Sequence, residues 1–169
     1  MALRNIREFG DPVLNKVCIE VKEMTDRNKQ LIDDMFETMY DANGVGLAAP
    51  QVGVLKRIVV IDTDGNKHVL INPEILEVSG EQTGFEGCLS FPGVSGIVTR
   101  PNYVKVKALN ENGEEYILEG EELLARAICH ECEHLNGVLY VDKVEGELIT
   151  NEELQRLEEE AAREDGQTD

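Results

Sequence analysis

The sequence predicts an α+β fold. Antiparallel sheets pack around a central helix that carries a His-Glu-Cys-Glu-His string, with one helix towards the N-terminus and another at the C-terminus. Residues 26–40 repeat apolar side chains at helical spacing, the middle of the chain holds two strand-turn-strand patterns, and good helix formers lead into the histidine string.

In chain order, Leu31, Ile32, Met35, Phe36 and Met39 fall at i, i+1, i+4, i+5 and i+8, one face of an amphipathic helix packed on the core. Residues 57–62 are rich in Ile and Val, Thr63-Asp64-Gly65-Asn66 supplies turn residues, and 67–71 resume the apolar run, which makes a β-hairpin. A second hairpin follows, in which 103–108 alternate apolar residues with lysine, Asn112-Gly113 turns, and 116–118 return. Leu123-Leu124-Ala125-Arg126-Ala127-Ile128-Cys129 favours helix, and Leu135-Asn136-Gly137 stops it within a turn of His134. Thr150 and Glu153 form a capping box before Leu154, Leu157 and Ala161, a narrow apolar stripe among acids, so the last helix is solvated and expected to fray after Arg163.

At 169 residues, with 41% hydrophobic and 30% charged positions, the chain suits one globular catalytic domain over 1–149, followed by an acidic helix and tail over 150–169. Neither a signal-peptide core nor an apolar run of membrane-spanning length is found, so a cytoplasmic protein is expected. In that compartment Cys18, Cys88, Cys129 and Cys132 stay reduced and read as core fillers or metal ligands rather than disulfides. The net charge of -18, from 16 basic against 34 acidic residues, argues against a nucleic-acid surface, because phosphate binding needs clustered Lys and Arg.

Chemistry concentrates in His130-Glu131-Cys132-Glu133-His134. Histidines four apart share one helix face and grip one metal ion, and the intervening Glu131 is placed to move protons there. The same string also arises by chance on an amphipathic helix, so a third ligand is needed, since catalytic sites of this kind use three and leave a fourth position for water. Cys132 lies roughly 200° around the helix from His130, and Cys129 and Glu133 each sit about 100° from a histidine, so all three point away from the pair. Cys129, Cys132 and Cys18, in Val17-Cys18-Ile19, read as packed thiols. Cys88 is the better candidate, because Gly87 permits close backbone approach and the neighbouring polar groups orient a thiolate.

Three motifs spread from position 44 to position 134 now coincide. Gly44-Val45-Gly46-Leu47-Ala48-Ala49-Pro50-Gln51, Glu86-Gly87-Cys88-Leu89-Ser90 and the histidine string resemble, in order and spacing, the signature motifs of the peptide deformylases. Phe9-Gly10-Asp11-Pro12-Val13-Leu14 and the helix over 33–40 extend the resemblance to everything but the acidic tail.

The resemblance implies one divalent metal per chain, held by Cys88, His130 and His134. Native Fe2+ is implied, with Zn2+, Ni2+ or Co2+ able to take its place; the ligands alone would have suggested zinc. Such an ion lowers the pKa of its water from about 15.7 towards 7. The implied reaction removes the N-formyl group from the formylmethionine that opens newly made polypeptides and releases formate. Glu131 acts as general base and acid, while the Gln51 side-chain amide and the Leu89 backbone N–H receive the oxyanion.

Gly44, Val45, Gly46 and Gly87 lie where an extended peptide would approach, with Leu123, Ala127 and Val45 as walls for the methionine side chain. For Gly44 to Gly46 a plain turn before Leu47 is the bland alternative. Arg100 aligns with a family arginine near the substrate, a surface salt bridge being the equal alternative. Glu133 departs from the family pattern, which carries aspartate before the second histidine. The partners implied are N-formylmethionyl nascent peptides, with transient ribosome proximity and neither nucleic-acid nor membrane binding. An acidic tail disfavours docking on ribosomal RNA. Against this stand two alternatives: a metallopeptidase, which usually takes a downstream His or Glu as third ligand, and a binding protein whose structural metal is closed by four protein ligands.

Overall fold

A computed structural model describes residues 2–167, with side chains through 164. The helix expected over 26–40 is α1 (Asp26–Asp41), opened by Thr25, whose side chain accepts from the Asn28 N–H. The strands are β1 (Gly46–Ala48), β2 (Ile58–Thr63), β3 (Asn66–Ser79), β4 (Gln82–Cys88), β5 (Phe91–Arg100), β6 (Tyr103–Leu109), β7 (Glu115–Glu121) and β8 (Glu145–Thr150). Helix α2 (Glu122–His134) carries the histidines, and α3 (Asn151–Gln167) ends the described chain. One antiparallel sheet has the order β1-β2-β3-β6-β7 and the other β4-β5-β8.

Both expected hairpins form. In the first, Thr63 pairs with Asn66 across a two-residue turn, and Asp64 and Gly65 both take positive φ (54° and 84°), the conformation whose twist matches the flanking strands. The second pairs Leu109 with Glu115 and Tyr103 with Glu121.

The continuous apolar run Ile58-Val59-Val60-Ile61 is explained by burial of β2 on both faces. Val59 and Ile61 meet Ile128, Cys129 and Cys132 of α2, whereas Ile58 and Val60 meet Leu31, Met35 and Met39 of α1. The large sheet is therefore the wall between the two helices. A third cluster, Leu14, Phe91, Val98, Leu139 and Tyr140, lies with the small sheet.

Two features differ from expectation. The sheet of β4, β5 and β8 does not announce itself, because Gly84, Gly87, Gly93 and Gly96 interrupt the alternation by which strands are recognised. Gly96 is required by contact: a Cβ there would lie 2.6 Å from Val144 side-chain carbons. The terminal helix also continues to Gln167, past the expected fraying point at Arg163, although its residues are mostly exposed. Its capping is as read, with Thr150 Oγ1 accepting from the Glu153 N–H at 3.1 Å.

Candidate metal centre and active site

Helix α2 buries its histidine face. His130, Glu131 and His134 are all buried, and Gly137, with φ 75° and backbone of Asn15 where a Cβ would stand, turns the chain away just beyond the helix. Cys88, the last residue of β4, meets this face from the opposite sheet. Its Sγ lies 3.3 Å from His134 Nε2, and His134 Nε2 lies 3.3 Å from His130 Nε2.

The ligand atoms of Cys88, His130 and His134 all fall within 4.8 Å of one another. A tetrahedral ion with ligand bonds of about 2.0–2.3 Å spaces its donors about 3.3–3.6 Å apart, so this set fits a single divalent ion. The other thiols do not compete. Cys18, Cys129 and Cys132 are buried in the core, and burial pushes their pKa values up to about 11, 11 and 12.

Glu131 is 2% exposed, and burial holds its carboxyl up at about 7. Its Oε1 stands 3.7 Å from His130 Nε2 and 3.9 Å from His134 Nε2, close enough to reach a group held by both. Gly46 makes room for it, since a Cβ there would sit 2.8 Å from Glu131 Oε2. Gly44 does the same for Leu89, at 2.6 Å from Cδ1.

Gln51 is oriented by its neighbours. The Ala48 N–H donates to its Oε1 at 2.9 Å, which leaves the NH2 aimed at the site, 3.1 Å from Ser90 Oγ and 3.4 Å from Cys88 Sγ. A carboxamide fixed by its oxygen is a donor held ready, without a charge to compete with a cation.

Behind the histidines lies a charge network built on Glu86 and Arg126, two residues to which sequence reasoning assigned no role, and on Arg100. Glu86 Oε2 is 2.7 Å from His130 Nδ1 and receives Arg100 Nη2 at 2.7 Å, while its Oε1 receives Arg100 Nε at 3.1 Å and Arg126 Nη1 at 2.9 Å. Burial pushes the Glu86 carboxyl up, but the His130 and Arg100 hydrogen bonds outweigh it and hold it at about 2. A carboxylate on the far ring nitrogen fixes the ring's orientation and tautomer. Two signals were available: Glu86 lies two residues before Cys88, and Arg126 lies four before His130 on the same helix face.

Arg100 requires correction. It lines no part of the cavity beside the histidines and is no surface salt bridge, being 3% exposed and held by Glu86 and by Glu133 Oε1 at 2.7 Å. A guanidinium this deep is stable only when its donors are paired, and both partners belong to the network behind the site. Glu133, the departure from the family pattern, thus anchors Arg100 and also meets Lys143 at 3.3 Å.

The remaining expected residues gather around one cavity of about 560 Å³. Gly44, Val45 and Gly46 form one side, Gly87, Cys88 and Leu89 another. Leu123, Arg126 and Ala127 continue the wall along α2 to His130 and Glu131. Strand β1 is the edge of its sheet, so its outer side is open to the cavity mouth.

A half-buried thiol and two buried imidazoles around one ion's worth of space beside a carboxylate, on this α+β scaffold, define a hydrolase of the metal-binding H-E-x-x-H kind. The family model described as "Polypeptide deformylase" matches residues 3–148. A peptide deformylase of Agathobacter rectalis is 66% identical over 157 residues, covering 92% of this chain and 99% of that protein. The crystal structure of the peptide deformylase from Thermotoga maritima superposes with a TM-score of 0.84 at 44% identity, covering 86% of this chain and 100% of that one. That of Synechococcus elongatus, in complex with actinonin, gives 0.82 at 46%, covering 85% and 79%. The chain belongs to the polypeptide deformylase family. Among the described residues no helix is long and apolar enough to cross a membrane.

Proposed function

We propose that this chain hydrolyses the N-formyl group of formylmethionyl peptides, with Cys88, His130 and His134 as metal ligands and Glu131 as the proton-transfer residue. One observation carries the reading: these three ligand atoms converge within 4.8 Å at the wall of a peptide-sized cavity, with buried Glu131 against them. When bound, the ion supplies Lewis acidity and a water acidic enough to ionise near neutral pH. By the family resemblance it is ferrous iron, with zinc, nickel or cobalt able to replace it.

The residues of the chain do the rest. The peptide lies extended along the open edge of β1, taking main-chain hydrogen bonds as an added strand, and Gly44 and Gly46 keep that approach clear. Its methionine side chain enters between Val45, Leu123 and Ala127. The Gln51 NH2 and the Leu89 N–H donate to the formyl oxygen as it gains charge. Glu131 takes the proton of the attacking water and passes it to the amine nitrogen as the carbon-nitrogen bond breaks. Formate and a free N-terminus leave.

The catalytic unit is 1–149, consistent with the family match ending at 148, and 150–169 is an appended acidic helix and tail. The setting is the cytoplasm, where nascent chains emerge near the ribosome. With a net charge of -18 the chain meets its substrate without binding nucleic acid itself.

The test is formate release from a formyl-Met-Ala-Ser peptide by iron, zinc and nickel forms prepared without oxygen. Formate without peptide-bond cleavage is expected from the iron form. Free amino acids in place of formate would mark a metallopeptidase, and no turnover with any metal would mark a structural site.

A further inference from the structure

We propose that Arg126 is a positioning and specificity-determining residue, at once a wall of the substrate side-chain pocket and a brace on the Glu86 carboxylate that orients His130. The proposal rests on the deformylase reading of the site and extends it.

Arg126 belongs to the row Leu123, Arg126, Ala127 and His130 along the cavity face of α2, and its side chain is about 10% exposed. Its guanidinium donates Nη1 to Glu86 Oε1 at 2.9 Å and Nη2 to the Val98 carbonyl at 3.1 Å, which staples α2 to both β4 and β5. Glu86 therefore bridges two successive turns of α2, gripping Arg126 with one oxygen and His130 with the other. With Arg100 supplying two more donors, all four acceptor positions of the carboxylate are filled, so it has one orientation. Arg100 reaches Glu86 from β5 and lies outside the cavity; of the two arginines that hold Glu86, Arg126 is the one that also lines the pocket.

A side chain seated in the pocket consequently presses on the stem of the arginine that steadies the ligand set. Lysine can keep the charge at this position but loses one leg of the fork. Methionine keeps an apolar stem of similar length and loses both donors.

The experiment compares wild type, R126M, R126K and R126A as metal-loaded holoenzymes on formyl-Met-Ala-Ser and formyl-Ala-Ala-Ser. It adds the visible absorption bands of the Co2+ forms, which report ligand geometry whether or not substrate turns over. R126M is expected to lower kcat on the formyl-Met peptide roughly 10- to 100-fold with a smaller change in KM, and to shift the Co2+ bands, with R126K recovering part of both. R126A is expected to reduce the preference for formyl-Met over formyl-Ala, expressed as the ratio of kcat/KM values, by about 10-fold or more, the scale of a few methylenes in an apolar pocket.

Wild-type kcat and wild-type Co2+ bands in R126M overturn the positioning role, and an unchanged ratio in R126A overturns the pocket role. If R126M does not fold, as judged by its thermal transition, R126K decides: kcat and bands identical to wild type overturn the brace. A wild-type enzyme that releases no formate defeats the underlying reading instead, while the Co2+ bands still test the brace.

Discussion

Gly46 concentrates the demands of the site on a single hydrogen atom. A β-carbon there would stand 2.8 Å from Glu131 Oε2 and 3.0 Å from its Cγ, inside van der Waals contact, and Glu131 has little room to retreat at 2% exposure. Gly46→Ala is expected to displace the carboxylate and lower kcat about 10²-fold while leaving metal content at one ion per chain, read by formate release and metal analysis. Wild-type kcat in this variant would mean that Glu131 moves freely without consequence. Glu131→Ala goes further: metal stays bound and kcat falls about 10²- to 10⁴-fold, the usual contribution of a positioned acid-base group. Near-normal turnover would remove Glu131 from the chemistry.

At the scale of elements, the described N-terminal segment is tied to α1 by two buried side chains, Thr38, which accepts from the Arg4 N–H at 2.9 Å, and Asp34. Asp34 accepts from the Ala2 N–H at 2.9 Å, Gln30 Nε2 at 2.8 Å and Arg4 Nε at 3.0 Å. Burial alone would raise its pKa, but these bonds outweigh it and hold the carboxyl below its ordinary value. A depressed carboxyl contributes stability above its unfolded pKa of about 3.9, and that contribution is lost as pH falls through the folded value. Asp34→Asn is expected to cost about 1–2 kcal/mol at pH 7, measured by urea unfolding. The gap to wild type should close as pH drops below about 4. A gap that persists undiminished at pH 3 would show that the charge is irrelevant.

The same scale shows what the sequence can and cannot tell. Helix α1, both hairpins and α2 were legible because their periods are set by local geometry and one buried face. The glycine-broken strands β4 and β5 hid the second sheet. Of the site, His130 and His134 are fixed by spacing within one helix, and Cys88 was reached by elimination together with motif resemblance. Glu86, Arg100 and Arg126 meet only after β4, β5 and α2 assemble, Arg100 and Arg126 reaching Glu86 across 14 and 40 residues, so no local pattern placed Arg100 behind the site rather than beside the substrate.

For the whole molecule the dominant quantity is a net charge of -18, about a third of which lies beyond Thr150 in α3 and the residues after it. It sets a long-range field that every incoming peptide crosses. At low salt the field extends about 30 Å, and near 0.5 M it shrinks to a few ångströms. A formyl-Met peptide with two lysines downstream is therefore drawn in, and one with two glutamates is held off. In enzyme loaded with Fe2+, kcat/KM for the lysine peptide is expected to exceed that for the glutamate peptide several-fold at about 10 mM salt. The first should fall and the second rise as salt increases, until the two nearly meet at 0.5 M. Because α3 carries so much of the charge, removing residues 151–169 should shrink the low-salt difference while preserving the convergence. Values that differ equally at both salt concentrations would place the discrimination in direct contacts within the cavity instead of the field around it.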